Sequence, residues 1–296
     1  IGAYLHDDAG YDLGKSYLIF GSSLGSSSII DLSLADYSFI GENASDYSGN
    51  SVSSAGDIDG DGLSDILIGA YEYYGGYVGG KTYLILGSSL GSSSTIDLSL
   101  ADYSFIGENA QNWFGNSVSS AGDVDGDGLD DLLIGAYGNS DGAYNAGKFY
   151  LILGSSLGSS STIDLSLADY SFIGENASDN SGRSVSSAGD VDGDSLDDIL
   201  IGAYLNDDGA TNAGKTYLIL GSSLPLLGSN PVTIDLSSAD YFFIGEGASD
   251  NAGRSVSSAG DVDGDGLDDI LIGAPSSDDV ASNVGKVGLF KACPAP

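Results

Sequence analysis

The feature that most constrains this chain is an internal repeat that runs through almost all of its 296 residues. Four aspartate-rich runs mark the repeats, and their first aspartates lie 66, 67 and 71 residues apart. The sequence between these runs is nearly identical from one copy to the next. A fixed period of this size indicates a solenoid, a propeller or an array of small units.

Within one period, apolar runs of four to six residues are bounded by Gly, Ser, Asn and Asp. The runs are rich in Ile, Leu, Val, Tyr and Phe, and no stretch has sustained helical periodicity. This pattern predicts short β-strands joined by turns. About four strands per repeat is the content of one propeller blade. The predicted fold is all-β, a β-propeller of four-stranded antiparallel blades in one domain over residues 1–296.

The strands can be named A to D from the propeller axis outward. Strands A (Ser-Val-Ser-Ser) and D (Phe-Ile-Gly-Glu) are predicted four times, and strands B (Ile-Gly-Ala) and C (after Gly-Lys) five times. About five blades result, the first without strand A and the last without strand D. The predicted repeats cover approximately residues 1–50, 51–116, 117–183, 184–254 and 255–296.

Three explanations for the incomplete terminal blades are left open by the sequence. The chain is a small closed propeller of about five blades, a fragment of a longer one, or a molecule whose terminal blades are completed by neighbouring copies. The absence of methionine, even at position 1, favours a processed or partial chain.

The aspartate runs have the pattern of a cation-binding loop. The first, Asp57-Ile-Asp-Gly-Asp-Gly-Leu-Ser-Asp65, places carboxylates at positions 1, 3, 5 and 9, with glycine at positions 4 and 6. Calcium takes six to eight oxygen ligands at about 2.3–2.6 Å. Acids at alternate positions can fold around one such ion, and the carbonyl at position 7 adds another oxygen. Four such runs predict about four Ca²⁺ sites.

The predicted metal ligands are the aspartates at positions 1, 3, 5 and 9 and the leucine carbonyl at position 7 of each loop. They are Asp57, Asp59, Asp61, Leu63 and Asp65; Asp123, Asp125, Asp127, Leu129 and Asp131; Asp190, Asp192, Asp194, Leu196 and Asp198; and Asp261, Asp263, Asp265, Leu267 and Asp269. The third loop has Ser195 where the others have glycine, which predicts a strained turn and a weaker affinity.

The run from Trp113 to Ala136 resembles an FG-GAP repeat. Such repeats build the β-propeller of integrin α chains and of many large bacterial extracellular proteins, and the resemblance is closest to the bacterial members. It covers essentially the whole chain, and it implies calcium in the hairpin between the innermost strand and its neighbour, held by the aspartates at positions 1, 3, 5 and 9. Only Phe114-Gly115 keeps the FG pair, and only Gly273-Ala-Pro275 keeps GAP.

Composition agrees with an extracellular or cell-surface location. The net charge is −35, from 43 acidic and 8 basic residues. Such a surface disfavours nucleic acid and anionic membranes, because both require clusters of Lys and Arg. No apolar run approaches the ~20 residues of a membrane span. The single cysteine, Cys293, precludes an internal disulfide framework.

The predicted function is that of a secreted calcium-binding structural protein that self-assembles into a cell-surface layer, sheath or filament. One alternative is an adhesin module, similar to the integrin α head, that binds an extracellular protein or glycan. The other is a non-catalytic accessory part of a larger secreted enzyme, since the family includes a phospholipase D whose chemistry lies outside its repeats. The sequence predicts no active site, because His6 is the only histidine and no nucleophile motif is present.

Two repeated surface features have open interpretations. A lysine lies just before the predicted strand C in every repeat, where the lysines form a cationic ring, balance local acids or protect a strand end: Lys15, Lys81, Lys148, Lys215 and Lys286. A tyrosine follows strand B at Tyr71, Tyr137 and Tyr204, where it either lines a contact surface or covers the loops.

Overall fold

The computed structural model describes residues 1–7, 10–25, 28–71, 79–109, 112–228, 231–278 and 284–292. Cys293 lies outside these residues. The described strands are, in chain order, β1 Gly2–Ala3, β2 Lys15–Leu18, β3 Tyr37–Ile40, β4 Ser48–Gly56, β5 Asp65–Ala70, β6 Lys81–Ile85, β7 Thr95–Asp97, β8 Tyr103–Ile106, β9 Ser117–Gly122, β10 Asp131–Ala136, β11 Lys148–Ile152, β12 Thr162–Asp164, β13 Tyr170–Ile173, β14 Ser184–Gly189, β15 Asp198–Ala203, β16 Lys215–Ile219, β17 Val232–Asp235, β18 Tyr241–Ile244, β19 Ser255–Gly260, β20 Asp269–Ala274 and β21 Lys286–Phe290.

The helical segments of the described residues are 3₁₀ turns of three residues each. In each of the first four repeats, one turn follows strand C and another precedes strand D. They are Gly21–Ser23, Leu32–Leu34, Gly87–Ser89, Leu98–Leu100, Gly154–Ser156, Leu165–Leu167, Gly221–Ser223 and Leu236–Ser238. In each turn that precedes strand D, an aspartate caps the first turn by accepting a backbone hydrogen bond, as Asp164 does from the N–H of Ser166.

Five antiparallel sheets form the blades. Blade 1 contains β1, β2 and β3, and blade 5 contains β19, β20 and β21. The three blades between them have four antiparallel strands each, in the order A-B-C-D: β4-β5-β6-β8, β9-β10-β11-β13 and β14-β15-β16-β18. The prediction of an all-β propeller with four A, five B, five C and four D strands is confirmed by the described residues.

Strand D lies slightly earlier in each repeat than the sequence predicted. In blade 3 it runs from Tyr170 to Ile173, and its pairing with β11 ends at the Lys148–Ile173 pair. The glycine and glutamate assigned to this strand therefore lie beyond it. Because Glu175 is free of the ladder, its carboxylate can reach Lys215 of the next blade, at 2.6 Å.

A further strand, which the sequence analysis missed, joins consecutive blades. The Thr-Ile-Asp segments β7, β12 and β17 pair in parallel with strand D of the preceding blade, which is β3, β8 and β13 respectively. We call these three segments the clasp strands. At the third clasp the hydroxyls of Ser171 and Thr233 lie 3.1 Å apart, and Tyr170 donates a hydrogen bond from its hydroxyl to the carbonyl of Pro225. Each clasp thus adds both backbone and side-chain bonds across the seam between two blades.

The apolar core lies between blades. Alternate residues of a strand point to opposite faces of its sheet. In β10, Leu133 packs into the cluster between blades 3 and 4, whereas Leu132 and Ile134 pack into the cluster between blades 2 and 3. Two smaller clusters fill the seams between blades 1 and 2 and between blades 4 and 5. The central strands are consequently apolar on both faces, as the uninterrupted Ile-Leu-Ile runs indicate.

Two leucines of one 3₁₀ turn test how much the clasp region stabilises the fold. Leu165 is 1% exposed and packs between blades 2 and 3, whereas Leu167 is 69% exposed. We expect Leu165→Ala to lower the free energy of unfolding by about 2–5 kcal/mol, because it removes buried contacts and leaves a cavity. Leu167→Ala should change it by no more than about 0.5 kcal/mol. Urea-induced unfolding measures both values, and equal effects of the two substitutions would contradict this assignment of the core.

Candidate metal centre

Each aspartate run forms the loop between strands A and B of one blade. In blade 3 the loop joins β9 to β10, and the pair that closes it is Gly122 and Asp131. The other three loops are closed by the equivalent pairs. The closing glycine has a positive φ of 75° in blade 3, a conformation that favours glycine over any residue with a side chain. The strand ladder therefore leaves eight residues between the closing pair, and these curl back on themselves at this edge.

The structure brings the carboxylates at positions 1, 3 and 5 of every loop together. In each group, one oxygen from each of the three carboxylates lies within 4.8 Å of the others. The groups are Asp57, Asp59 and Asp61; Asp123, Asp125 and Asp127; Asp190, Asp192 and Asp194; and Asp261, Asp263 and Asp265. Three like charges at this separation repel one another, and a shared cation would reverse the sign of that interaction.

Backbone amides fold each loop over its first aspartate. In blade 3, the N–H groups of Gly126 and Gly128 donate to the two carboxylate oxygens of Asp123, at 2.7 and 2.9 Å. The N–H of Leu129 donates to Asp127 at 2.9 Å. The loops of blades 4 and 5 have the same bonds. These bonds hold the acidic side chains on the inner side of the turn.

The donor atoms fit a calcium-like ion. Every converging side-chain ligand is a carboxylate oxygen, which is the ligand type that hard divalent cations prefer. In the first loop, Oδ1 of Asp57 is buried and accepts no hydrogen bond within the described residues. A buried carboxylate oxygen without a partner is costly. An ion at the centre of the three carboxylates would supply that partner.

The aspartate at position 9 is held differently from the other three. Asp131 is fully buried, and its two oxygens accept hydrogen bonds from the N–H groups of Val124 and Gly154, at 3.0 and 2.9 Å. Burial raises the pKa of Asp131 to about 8, although these two hydrogen bonds oppose the rise. Burial likewise raises the pKa of Asp198 to about 7. The structure does not place this carboxylate within the group of three, although its remaining lone pairs are available for an ion.

Direct coordination by the position-9 aspartates stays a prediction for Asp65, Asp131, Asp198 and Asp269. The same holds for the position-7 carbonyls of Leu63, Leu129, Leu196 and Leu267. What the structure adds is that the position-9 carboxylate ties the start of its loop to the end of strand C in the same blade.

Ser195 adopts the backbone conformation of the glycines that it replaces. Its φ is 72°, in the left-handed region, where Gly128 of the preceding loop has 90°. Its N–H donates a hydrogen bond to the Asp190 carboxylate at 2.9 Å. This bond is equivalent to the one from the N–H of Gly128 to Asp123 in the preceding loop. A residue with a Cβ in this region costs about 1–2 kcal/mol. The third loop thus keeps its shape at the expense of local strain.

The sequence analysis missed the aspartate at position 8. Asp130, Asp197 and Asp268 each accept a hydrogen bond from the N–H of the position-1 aspartate in the preceding blade's loop, at 2.7, 2.9 and 3.2 Å. One signal could have found them, because position 8 is aspartate in the last three loops and Ser64 in the first. We call these three residues the latch aspartates.

The repeated lysines pair with acids across the seams between blades. Lys148 contacts Glu108 of the preceding blade at 3.0 Å and Asp141 of its own blade at 2.9 Å. Lys215 makes the equivalent pairs with Glu175 and Asp208, and their hydrogen bonds raise its pKa although burial opposes them. Lys81 and Lys286 each pair with the preceding blade's glutamate. These contacts support the interpretation that the lysines balance local acids.

The repeated tyrosines lie among aromatic and arginine side chains at the end of the blades away from the acidic loops. Tyr137 stacks on Trp113 with ring centroids 4.7 Å apart, and the guanidinium of Arg183 lies 5.2 Å from its ring centre. Arg254 lies 4.9 Å from the ring centre of Tyr204. Burial raises the pKa of Tyr137, and Arg183 opposes the rise. We call these residues, together with Tyr71, which stacks on Tyr47, the aromatic face.

The blades and their acidic loops define the class of this protein, a β-propeller with an aspartate-rich hairpin loop in successive blades. The FG-GAP repeat profile matches residues 48–85, 114–152, 181–219 and 252–290, which together make up more than half of the chain. The chain therefore belongs to the FG-GAP repeat family. The first match begins with strand A and the other three begin shortly before it, and each match ends at the last residue of strand C, so it contains one complete acidic loop.

Several relatives in this family are integrin α chains. The chain is 30% identical to integrin alpha-PS2 of Drosophila melanogaster over 230 residues, which are 76% of this chain and 15% of that protein. It is 27% identical to integrin alpha-4 of Xenopus laevis over 63% of this chain and 17% of that protein. It is also 28% identical to a phosphatidylinositol-glycan-specific phospholipase D of Dictyostelium discoideum, over 84% of this chain and 27% of that protein. The chain thus spans less than a third of the length of these relatives.

No helix among the described residues is long and apolar enough to cross a membrane.

The strain at Ser195 leads to a test with a reciprocal control. We expect Ser195→Gly to raise the free energy of unfolding in saturating calcium by about 0.5–1 kcal/mol, because glycine removes the left-handed strain but adds freedom to the unfolded chain. The reverse change in the preceding loop, Gly128→Ser, should lower it by a similar amount. Thermal unfolding of the three proteins measures both effects. No change in either variant would mean that the turn is not strained.

Proposed function

We propose that this chain is the calcium-stabilised propeller module of a secreted or cell-surface protein with a structural role in a layer, sheath or filament. The observation that carries the proposal is the convergence of three carboxylates at the same place in four successive blades. Equivalent sites repeated along a fold suit a structural ion, because each one fixes the hairpin of its own blade. The relatives add that such repeats occur in integrin α chains and in a phospholipase D.

The charge balance supports an environment rich in calcium. The chain has a net charge of −35, and each bound Ca²⁺ would offset two of these charges. Sites in extracellular modules can be as weak as about 10⁻⁴–10⁻³ M, which suits the millimolar calcium outside cells. At tenfold saturation each site adds about 1.4 kcal/mol to the free energy of unfolding. Four such sites are a large fraction of the stability of a typical domain.

The near identity of the repeats supports a structural role. The second, third and fourth loops share their internal hydrogen bonds and their closing pairs. A site for one specific ligand usually distinguishes one blade from the others. The clusters of three carboxylates found among the described residues all lie in the acidic loops, and the acids beside Lys148 and Lys215 form ion pairs with these lysines. The single histidine, His6, packs edge-on against Tyr17. These features favour a module without catalysis of its own.

The aromatic face supports a second candidate, a module that binds an extracellular protein or glycan. Stacked aromatic rings and arginines are the side chains that most often anchor such contacts. Trp113, Tyr137 and Arg183 lie at the end of the blades opposite the acidic loops, so a ligand there would not compete with the ions. The similarity to a phospholipase D leaves a third candidate, a non-catalytic part of a larger secreted enzyme.

Electron microscopy of the purified protein separates the first two candidates. We expect ordered layers or filaments in millimolar calcium and their dissolution after chelation, because loss of the ions unpins the acidic hairpins. Discrete particles in both conditions would overturn the assembly role. In that case, binding of the protein to matrix material, and loss of binding in Tyr137→Ala, would support the adhesin instead.

A pair of charge-neutralising variants controls for the high negative charge. Asp127→Asn removes one carboxylate from the second loop, so it should weaken assembly and lower thermal stability in calcium. Asp207→Asn removes the same charge from a loop between strands B and C, where its side chain accepts a hydrogen bond from the N–H of Asn212. An asparagine keeps that acceptor, so this variant should behave as the unmodified protein. Equal effects would show that net charge, and not the loop, controls assembly.

A further inference from the structure

Consecutive acidic loops contact each other directly. Both backbone polar groups of Asp57, at position 1 of the first loop, form hydrogen bonds with Asp130, at position 8 of the second loop. The N–H of Asp57 donates to the Asp130 carboxylate at 2.7 Å, and the N–H of Asp130 donates to the carbonyl of Asp57 at 3.1 Å. The same two-way contact joins Asp123 to Asp197 and Asp190 to Asp268.

The glycine before each loop permits this approach. A Cβ on Gly56 would lie 2.2 Å from the Asp130 carboxyl group, and one on Gly122 would lie 2.1 Å from that of Asp197. No atom lies within 4 Å of the equivalent position on Gly260, whose loop has no latch aspartate from a following blade within the described residues. The close approach is therefore a property of the contact between loops and not of the loop by itself.

A leucine strengthens the contact beside each latch. The side chain of Leu129, at position 7, lies 3.0 Å from the position that a Cβ on Gly60 of the preceding loop would occupy. Leu196 and Leu267 approach Gly126 and Gly193 in the same way. Leu267 is accordingly 8% exposed, whereas Leu63, in the first loop, is 50% exposed. Positions 7 and 8 of one loop thus cover positions 1 and 4 of the loop before it.

We propose that Asp130, Asp197 and Asp268 are positioning residues that set the cation affinity of the loop on the preceding blade and so link the four sites in series. This inference rests on the calcium occupancy proposed above. Each latch fixes the backbone of a position-1 aspartate, whose side chain is one of the three converging ligands. Each latch is position 8 of its own loop, between positions 7 and 9. An ion that orders this loop therefore also orders its latch, and the latch holds the backbone of the loop on the preceding blade.

Thermodynamic linkage makes this coupling reciprocal. If filling the second loop raises the affinity of the first, filling the first raises the affinity of the second by the same factor. The latch is a hydrogen bond to a charged acceptor, so its loss should weaken the preceding loop by about tenfold. Sites farther along the chain should change little, because they do not contact the altered latch.

Hydrogen–deuterium exchange during a calcium titration resolves the loops in the intact chain. The protection of peptides that contain residues 57–65, 123–131, 190–198 and 261–269 reports the filling of each loop. In Asp130→Ala we expect the calcium midpoint of the first loop to rise about tenfold, with little change in the fourth. Asp130→Asn keeps an oxygen that can accept the N–H of Asp57, so it should keep most of the affinity. Equal weakening by both variants would indicate a charge effect alone and would overturn the proposal.

Asp197→Ala provides an independent test, because its largest effect should be on the second loop, with a smaller shift of the first loop, which senses the second only through Asp130. It also covers the case in which Asp130→Ala fails to fold. If calcium protects no loop in the unmodified protein, the proposed calcium role fails. If calcium protects all loops but neither alanine variant shifts the preceding loop, only the latch proposal fails.

Discussion

The rest of this structure depends on the burial of both faces of each blade against its neighbours. A sheet with Leu133 on one face and Leu132 on the other cannot remove both from water by itself. Stability is therefore generated at the seams, as in other repeat proteins in which each unit contacts mainly its neighbours. The clasp strands, the lysine–glutamate pairs and the latch aspartates all lie at these seams. They differ in chemistry, but each one fixes the position of one blade relative to the next.

The acidic loops concentrate negative charge at the same seams, and this charge has to be balanced. Each loop gathers three carboxylates, and in the first three loops a latch brings a fourth from the following blade to the backbone of the position-1 aspartate. Burial and neighbouring aspartates raise the pKa of Asp197, one of these latches. A divalent ion in each loop would relieve this accumulation of negative charge. Blade packing and the proposed cations would therefore stabilise the same contact, so a structural role for the ions is consistent with the whole fold.

Much of the fold was predictable because its determinants are local. Strands A to D follow from short apolar runs between turn residues, and the grouping of Asp123, Asp125 and Asp127 follows from acids at alternate positions with glycine at the turn. The clasp strands and latch aspartates were not found, because their partners lie a full repeat away. Periodicity places Asp130 and Asp197 at equivalent positions, but it does not say which blade each one contacts. The substitution of Ser64 at the first of these positions was the only local indication.

By itself, the sequence determined the type of unit, the numbers of A, B, C and D strands and the residues that gather into the acidic groups, since these depend on spacing within a few residues. Only the tertiary structure decided that Asp131 is enclosed by two backbone N–H groups, that Lys148 bridges two blades, and that Asp130 secures the loop before its own. These contacts arise when sheets stack at van der Waals distance. Which side chains then meet across a seam depends on the separation and twist of the sheets, which no residue spacing specifies.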